Sequence, residues 1–334
     1  MTLSAADDKL RAQGIGASEI ASILGVCPWR TAMNVWVRLR EPQPRVSNAH
    51  MDWGHPMERA LVEWYEGQHP DRACVTSPTR RDRIWDWALA TPDRFVFEGP
   101  DAVHRAERAA VGLSSSDVWL PEAERLVECK NVGFYARQKW IPGSEPEVPD
   151  YVVAQVLWQM RICRVHQATV VVCLAGDPPV ELDVPWDEEL AGQMFQIVEK
   201  FWVDNVVGGE PPAPDGGRAW EEYLARRYPR VTRPEPLEAP ELDAAVAERL
   251  RLKMLVKDAE RQISSLEQEI CSTIGECDAA VGPWGRATWR MARGKVSWKD
   301  YAGALGATAE GAEAHRGEGG RQLRVTLAKG GGDE

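Results

Sequence analysis

The chain has 334 residues, with 40 Lys and Arg against 51 Asp and Glu, and a formal net charge of −11. At roughly 100–200 residues per domain this is one large domain or two modest ones, and 44% hydrophobic with 27% charged residues is ordinary globular composition rather than wholesale disorder. No apolar run approaches the ~20 residues of a membrane span, the seven scattered cysteines offer neither a disulfide framework nor paired CxxC zinc spacing, and the acidic balance excludes a non-specific nucleic-acid coat while leaving room for a local basic groove.

In chain order, the start MTLSAADDKLRAQG has no signal-peptide apolar core, and the cysteine pattern suits a reducing cytosol, so a soluble, cytoplasmic protein is expected. Ser18 is expected to cap a short helix from Glu19 to Leu24, stopped by Gly25, and Thr31 to cap a second reaching about Arg40. A third helix is expected to begin near Pro56, with Met57, Leu61, Trp64 and Tyr65 as its apolar stripe. Residues 83–98, 114–120 and 125–131 read as strands, 150–165 as an amphipathic helix, 168–176 and 180–184 as strands, and 187–207 as a helix. The order predicts an α/β core, a mixed sheet flanked by helices.

The Pro/Gly-rich run 208–217 breaks any helix or strand and is read as a linker. This gives a domain over 1–207 and a C-terminal extension over 218–334. The extension opens with a long amphipathic helix marked by Leu242, Val246, Leu250, Met254, Ile263, Leu266 and Ile270. WGRATWRM and GKVSW are read as a small strand pair and RQLRVTL as a last strand. Residues 281–334 form the one net positive stretch, with Trp284, Trp289 and Trp298 among its basic residues.

The chemistry concentrates in LVECKNV, residues 126–132. Side chains alternate along a strand, so Glu128 and Lys130 share one face and Val127 and Cys129 the other. Alone, Glu-x-Lys is also what a surface ion pair looks like. It gains meaning from three neighbours: Asp93, after Pro92 where a strand leaves its pairing; Glu58, on the core-facing edge of its helix, where a carboxylate is costly without a partner; and Gln155 with Gln159, four apart on an otherwise apolar helix. Carboxylates, a lysine and an amide among core elements suit phosphodiester hydrolysis, in which hard oxygen ligands hold Mg²⁺ and a lysine positions or deprotonates the nucleophile.

The series Glu58, Pro92-Asp93, Glu128-Cys129-Lys130 and Gln155 resembles the PD-(D/E)xK nuclease core, and in detail the lambda exonuclease or YqaJ-like viral recombinase family. Arg11, seven residues before Ser18, resembles that family's N-terminal motif for a terminal DNA 5′-phosphate, and a helix N-terminus beside a guanidinium is physically suited to that role. The resemblance covers roughly residues 8–207. It implies a restriction-endonuclease-like fold and a Mg²⁺-dependent exonuclease (Mn²⁺ as substitute, two ions per site) that resects double-stranded DNA ends 5′→3′ for phage-type recombination. It implies Glu58, Asp93, Glu128 and the Cys129 carbonyl as metal ligands, Lys130 as the catalytic lysine oriented by Gln155, and Arg137 as a further phosphate contact. It also implies a ring-shaped homotrimer and a single-strand annealing partner.

One departure concerns the spacing. The family joins its Asp to Glu-x-Lys by a hairpin of about ten residues, whereas 34 residues lie between Asp93 and Glu128 here. Asp117, eleven before Glu128, is therefore an alternative metal ligand; the Thr-Pro-Asp context favours Asp93, with 99–124 as an insertion. The rival functional readings are a Cas4-like or restriction-type endonuclease on the same fold, and a DNA-end-binding protein without catalysis. The first should carry an iron–sulfur cysteine set, which this spacing lacks.

Overall fold

The computed structural model describes residues 5–41, 49–76, 78–112, 123–292, 294 and 297–313. It divides into two compact units, Met1–Leu224 and Ala225–Glu334. In the first, α1 (Ala5–Ala12), β1 (Ile15–Gly16), α2 (Ala17–Ile23), α3 (Ala32–Arg40) and α4 (Ala49–Gln68) precede β2 (Arg72–Val75), β3 (Arg80–Arg81), β4 (Ala88–Ala90) and β5 (Arg94–Glu98). Then come α5 (Ala102–Gly112), β6 (Arg125–Val132), a 3₁₀ turn (Phe134–Lys139), α6 (Asp150–Cys163), β7 (Gln167–Leu174), β8 (Val180–Pro185), α7 (Glu188–Phe201) and α8 (Arg218–Arg227). Residues 208–217 carry no regular structure.

The main sheet has the order β2-β5-β6-β7-β8. Only β6 and β7 run parallel, joined through α6, while β2–β5, β5–β6 and β7–β8 are antiparallel. The period of two divides its core cleanly. Val96, Val127 and Val171 face Leu61 and Tyr65 of α4, while Phe95, Phe97, Leu126, Val170 and Val172 join α6 and α7 on the other side. Trp158 of α6 is 1% exposed, stacks on Phe195 and donates its indole N–H to Leu89 O at 3.0 Å. The expected mixed sheet flanked by helices is the observed one.

The expected strand over 83–98 is two strands in two sheets. β4 pairs with β1 and β3, β5 with β2 and β6. Thr91-Pro92-Asp93 makes the crossing, because Pro92 has no N–H to give a ladder. Ser18 is not a cap. Gly16 is, and Glu19 reaches back to its N–H at 3.1 Å, which fixes the first helical residue at Ala17. Thr31 does cap α3, with its N–H donated to Asn34 Oδ1 at 2.9 Å. Pro56 lies inside α4 rather than at its start. Its interruption costs about 3 kcal/mol, which the buried stripe of Leu61, Val62 and Tyr65 offsets.

The second unit contains α9 (Asp243–Ile274), the hairpin β9 (Ala279–Gly282) and β10 (Gly285–Thr288), then α10 (Trp298–Ala304) and α11 (Ala309–Glu313). WGRAT supplies β10, which pairs with β9, Gly285 (φ +118°) opposite Gly282; of GKVSW, Trp298 opens α10, while Lys295 and Val296 lie outside the described residues. The expected strands at 114–120 and 321–327, and Asp117, lie outside the described residues. Among the described residues no helix is long and apolar enough to cross a membrane.

Replacing Trp158 with Ala removes both a buried indole and the Leu89 hydrogen bond. We expect a loss of about 3–5 kcal/mol, read as a lower urea midpoint for the unfolding of the first unit; a loss under ~1 kcal/mol would mean that the α6 face is not part of the cooperative core.

Candidate active site

Strand alternation places Glu128 and Lys130 towards α6 and Val127 and Cys129 towards α4. Glu128 is 5% exposed, and its carboxylate is fully engaged. Lys130 Nζ donates to Oε1 at 2.6 Å, Gln155 Nε2 to the same oxygen at 2.6 Å, and Gln159 Nε2 to Oε2 at 2.8 Å. Lys130 also donates to Gln155 Oε1 at 3.1 Å, which closes a three-membered ring of contacts. A period of two on β6 meets a period of four on α6, so Glu128, Lys130, Gln155 and Gln159 come together with no loop involved.

Asp93 joins them from the neighbouring strand. The β5–β6 register sets Arg94 opposite Val127, which puts Asp93 beside Glu128 and Cys129. Its Oδ2 accepts the Cys129 N–H at 2.8 Å. The long connection between β5 and β6 therefore leaves the hairpin geometry at Asp93 intact, with α5 held in the insertion. Glu58 approaches from α4 on the other side of the sheet, 14% exposed and paired with Arg94 at 3.0 Å. Arg94 points there because it shares the face of Val96, against α4.

The electrostatics follow. Burial, then repulsion from Glu128 and Glu58, pushes the Asp93 carboxyl well above the usual carboxylate range, against the pull of Lys130 and the Cys129 N–H. Burial, reinforced by Asp93, Glu128 and Glu58, pushes the Cys129 thiol up as well. Burial opposes the charge of Lys130, but attraction to Glu128 and Asp93 outweighs it and raises this ammonium above its ordinary value. Three carboxylates thus share one region with too little positive charge. Hard oxygens with surplus negative potential are the donor chemistry of a divalent cation. Among the described residues no three such side chains already stand in metal-holding geometry, since Glu58 leans on Arg94, Asp93 on a backbone N–H, and Glu128 on Lys130 and two amides.

The expected phosphate-binding residues occupy other elements. Arg11 lies in the last turn of α1, and Ser18 is exposed in the first turn of α2, which packs on α6. Arg38, which no local sequence pattern singles out, ties this corner together. It donates to Arg11 O at 2.9 Å and Gly14 O at 2.7 Å, and forks onto Glu19 at 2.5 and 2.7 Å. Arg137, on the 3₁₀ turn after β6, pairs with Asp177 at 2.9 Å. Gln159, paired with Gln155 by its four-residue spacing, belongs to the site as well, and so does Arg94, which nothing local announces. A cavity of about 330 Å³ beside Glu58 is lined by Trp53, Leu61, Cys129, Asn131 and Gly133 as well.

The five-stranded mixed sheet, flanked by helices, thus brings Asp93 beside Glu128 and Lys130. Residues 8–166 match the YqaJ-like viral recombinase domain, so over this stretch the chain is similar to that family. It is 27% identical to the uncharacterized protein YqaJ of Bacillus subtilis over 264 residues, 78% of this chain and 72% of that one. Among solved structures it is similar to an alkaline exonuclease from Laribacter hongkongensis, at 16% identity and a TM-score of 0.47 over 67% of this chain and 97% of that one. A phage related exonuclease from Haemophilus somnus is similar at 11% identity and a TM-score of 0.39, over 59% and 96%.

Because the folded Asp93 holds its proton more tightly than the unfolded chain does, its contribution to stability is complete below the ordinary carboxylate value and is lost as pH rises through the raised one. Asp93→Asn, whose Oδ1 can still accept the Cys129 N–H, should therefore melt higher than wild type in EDTA at pH 8. Millimolar Mg²⁺ should raise the melting temperature of wild type but not of the variant. Equal melting of the two proteins in EDTA would show that the carboxylate crowding costs nothing.

Proposed function

We propose that this protein is a divalent-metal-dependent DNA exonuclease that resects double-stranded ends for phage-type recombination, acting 5′→3′ with Mg²⁺, or Mn²⁺ in its place. The observation that supports this most is the buried Glu128, which shares one face of β6 with Lys130, is tied to Gln155, and has Asp93 alongside from the next strand. The family match over residues 8–166 points the same way, and the two similar structures named above are described as exonucleases.

In this reading Glu58, Asp93, Glu128 and the Cys129 carbonyl would hold the metal, two ions per site, and such ions would make a water more acidic and offset the negative charge of the phosphodiester. The rest falls to the chain itself. Lys130, kept as an ammonium by its carboxylate neighbours, is a donor rather than a base as long as that charge surrounds it; it orients the attacking water and the phosphoryl oxygens through hydrogen bonds. Gln155 accepts from Lys130 and donates to Glu128, fixing the distance between them. Gln159 holds the second Glu128 oxygen, so that the carboxylate has one available rotamer. Arg11 and Ser18 receive the terminal 5′-phosphate, and Arg137, released from Asp177, a further one. The homotrimeric ring and the single-strand annealing partner belong to the same proposal.

Glu128→Ala and Lys130→Ala should each lower cleavage of linear duplex by several orders of magnitude while leaving end binding nearly intact, because the interactions removed strengthen in the transition state. Near-normal cleavage by either protein would refute the site.

Polarity has its own test. A phosphate held by a guanidinium involves charge-assisted bonds, whose loss costs about 1–3 kcal/mol, or roughly 5- to 150-fold. Wild type should degrade 5′-phosphorylated ends faster than 5′-hydroxyl ends, releasing the 5′ label first, and Arg11→Ala should erase the difference by slowing the phosphorylated substrate. Indifference of wild type to the end group would leave Arg11 and Ser18 with no such role.

A further inference from the structure

We propose that Trp29, with Lys139 and Tyr151 beside it, is a stacking platform for the unpaired base of the 5′-terminal nucleotide of the strand being cut. The platform rests on the nuclease reading above and adds a contact to the base where that reading has contacts only to phosphate. Trp29 is 63% exposed. Lys139 Nζ stands 4.7 Å from the centre of its ring, and the Tyr151 ring meets it edge-on, with 5.1 Å between centroids at 80°. An indole covered on both faces could not keep that exposure, so one face stays open to a flat ligand. The loop that presents the ring is held in place. Gly25 turns the chain at φ +76°, and Val26 and Cys27 both donate their N–H to Ala21 O at 3.0 Å.

The three elements that meet at this indole are the ones that carry the expected substrate contacts. Trp29 lies on the loop after α2, whose first turn holds Ser18. Tyr151 lies one helical turn before Gln155 on α6, and Lys139 is two residues past Arg137 on the 3₁₀ turn. Burial raises the Tyr151 phenol above its ordinary value, and the Lys130 ammonium is near enough to oppose that rise. A terminal nucleotide with its 5′-phosphate at Arg11 and Ser18 and its other phosphate at Glu128 and Lys130 still has its base to place. Trp29 is the exposed ring shared by the elements on both sides. Every base offers a π-face, so stacking holds an end without reading its sequence, which suits an enzyme that must pass through any sequence. Arg30 and Lys139, both exposed, add positive charge beside the ring for the backbone. Stacking needs a base that has left its pair, so the platform also favours opening of the terminal base pair.

The test uses the full-length protein and a 5′-phosphorylated duplex with a single-nucleotide 5′ overhang, made with and without the overhanging base. Binding is read by fluorescence anisotropy in EDTA at one fixed salt concentration, and cleavage is followed alongside with Mg²⁺. Wild type should bind the base-bearing end about 5- to 150-fold more tightly than the abasic one. Trp29→Ala should bind both ends as wild type binds the abasic one, and Trp29→Phe should restore part of the preference. Mass by light scattering and melting temperature should stay as in wild type, because most of the ring lies outside the core. An equal loss on both ends, no loss on either, or a loss that comes with a smaller assembly or a lower melting temperature would each overturn the platform. Those outcomes mark a phosphate contact, an idle ring, or packing between copies or within one. Wild type that binds and cuts ends but ignores the base overturns the platform alone; wild type that does neither overturns the nuclease reading and the platform with it.

Discussion

The first unit is organised around one buried carboxylate. Glu128 sits in the middle of β6, where an unpaired charge would cost several kcal/mol, and the fold meets that cost with three donors. Lys130 comes from the same strand, and Gln155 and Gln159 from α6 across the sheet face. To deliver them, α6 must lie along β6 with Gln155 and Gln159 facing inward. That orientation in turn directs Val152, Val156 and Met160 into the core. The parallel β6–β7 pair, bridged by α6, is what makes the placement possible. Packing and polar satisfaction therefore impose the same geometry, and neither could be changed without the other.

Much of this was legible because the periods are short. Glu-x-Lys is two residues on a strand, Gln-x-x-x-Gln one helical turn, and Pro-Asp a break in a ladder. Each sets a direction for its side chains through local backbone geometry alone. The contacts that escaped are those made across long stretches of sequence. Arg94 meets Glu58 from 36 residues away, and Arg38 gathers Arg11, Gly14 and Glu19 from more than half that distance. An arginine carries no local mark of which carboxylate it will reach. The misplaced cap at Ser18 has another cause. Serine and glycine both open helices, and the deciding residue was Glu19, whose side chain can satisfy only the N–H three positions back. In the hairpin at β9–β10 a glycine at φ +118° closes a two-residue loop, a turn signal that the strand pattern alone does not carry.

The site is also where the chain departs from what folding alone would favour. A stable core would have neutral groups at 93 and 58, yet the carboxylates there repel one another, hold the Asp93 proton tightly and lift the Cys129 thiol. The surrounding structure tolerates this because it fixes each carboxylate by a different partner, a backbone N–H for Asp93, Arg94 for Glu58, and the lysine and amides for Glu128. Those partners also keep the three from relaxing apart. The strain is electrostatic rather than conformational; it would be relieved by any hard cation that replaces the protons, so the same arrangement that weakens the fold by itself becomes binding energy for the ion. Lys130 completes the logic. Held as an ammonium by that negative field, it is among the described residues the one cation bonded directly to the Glu128 carboxylate.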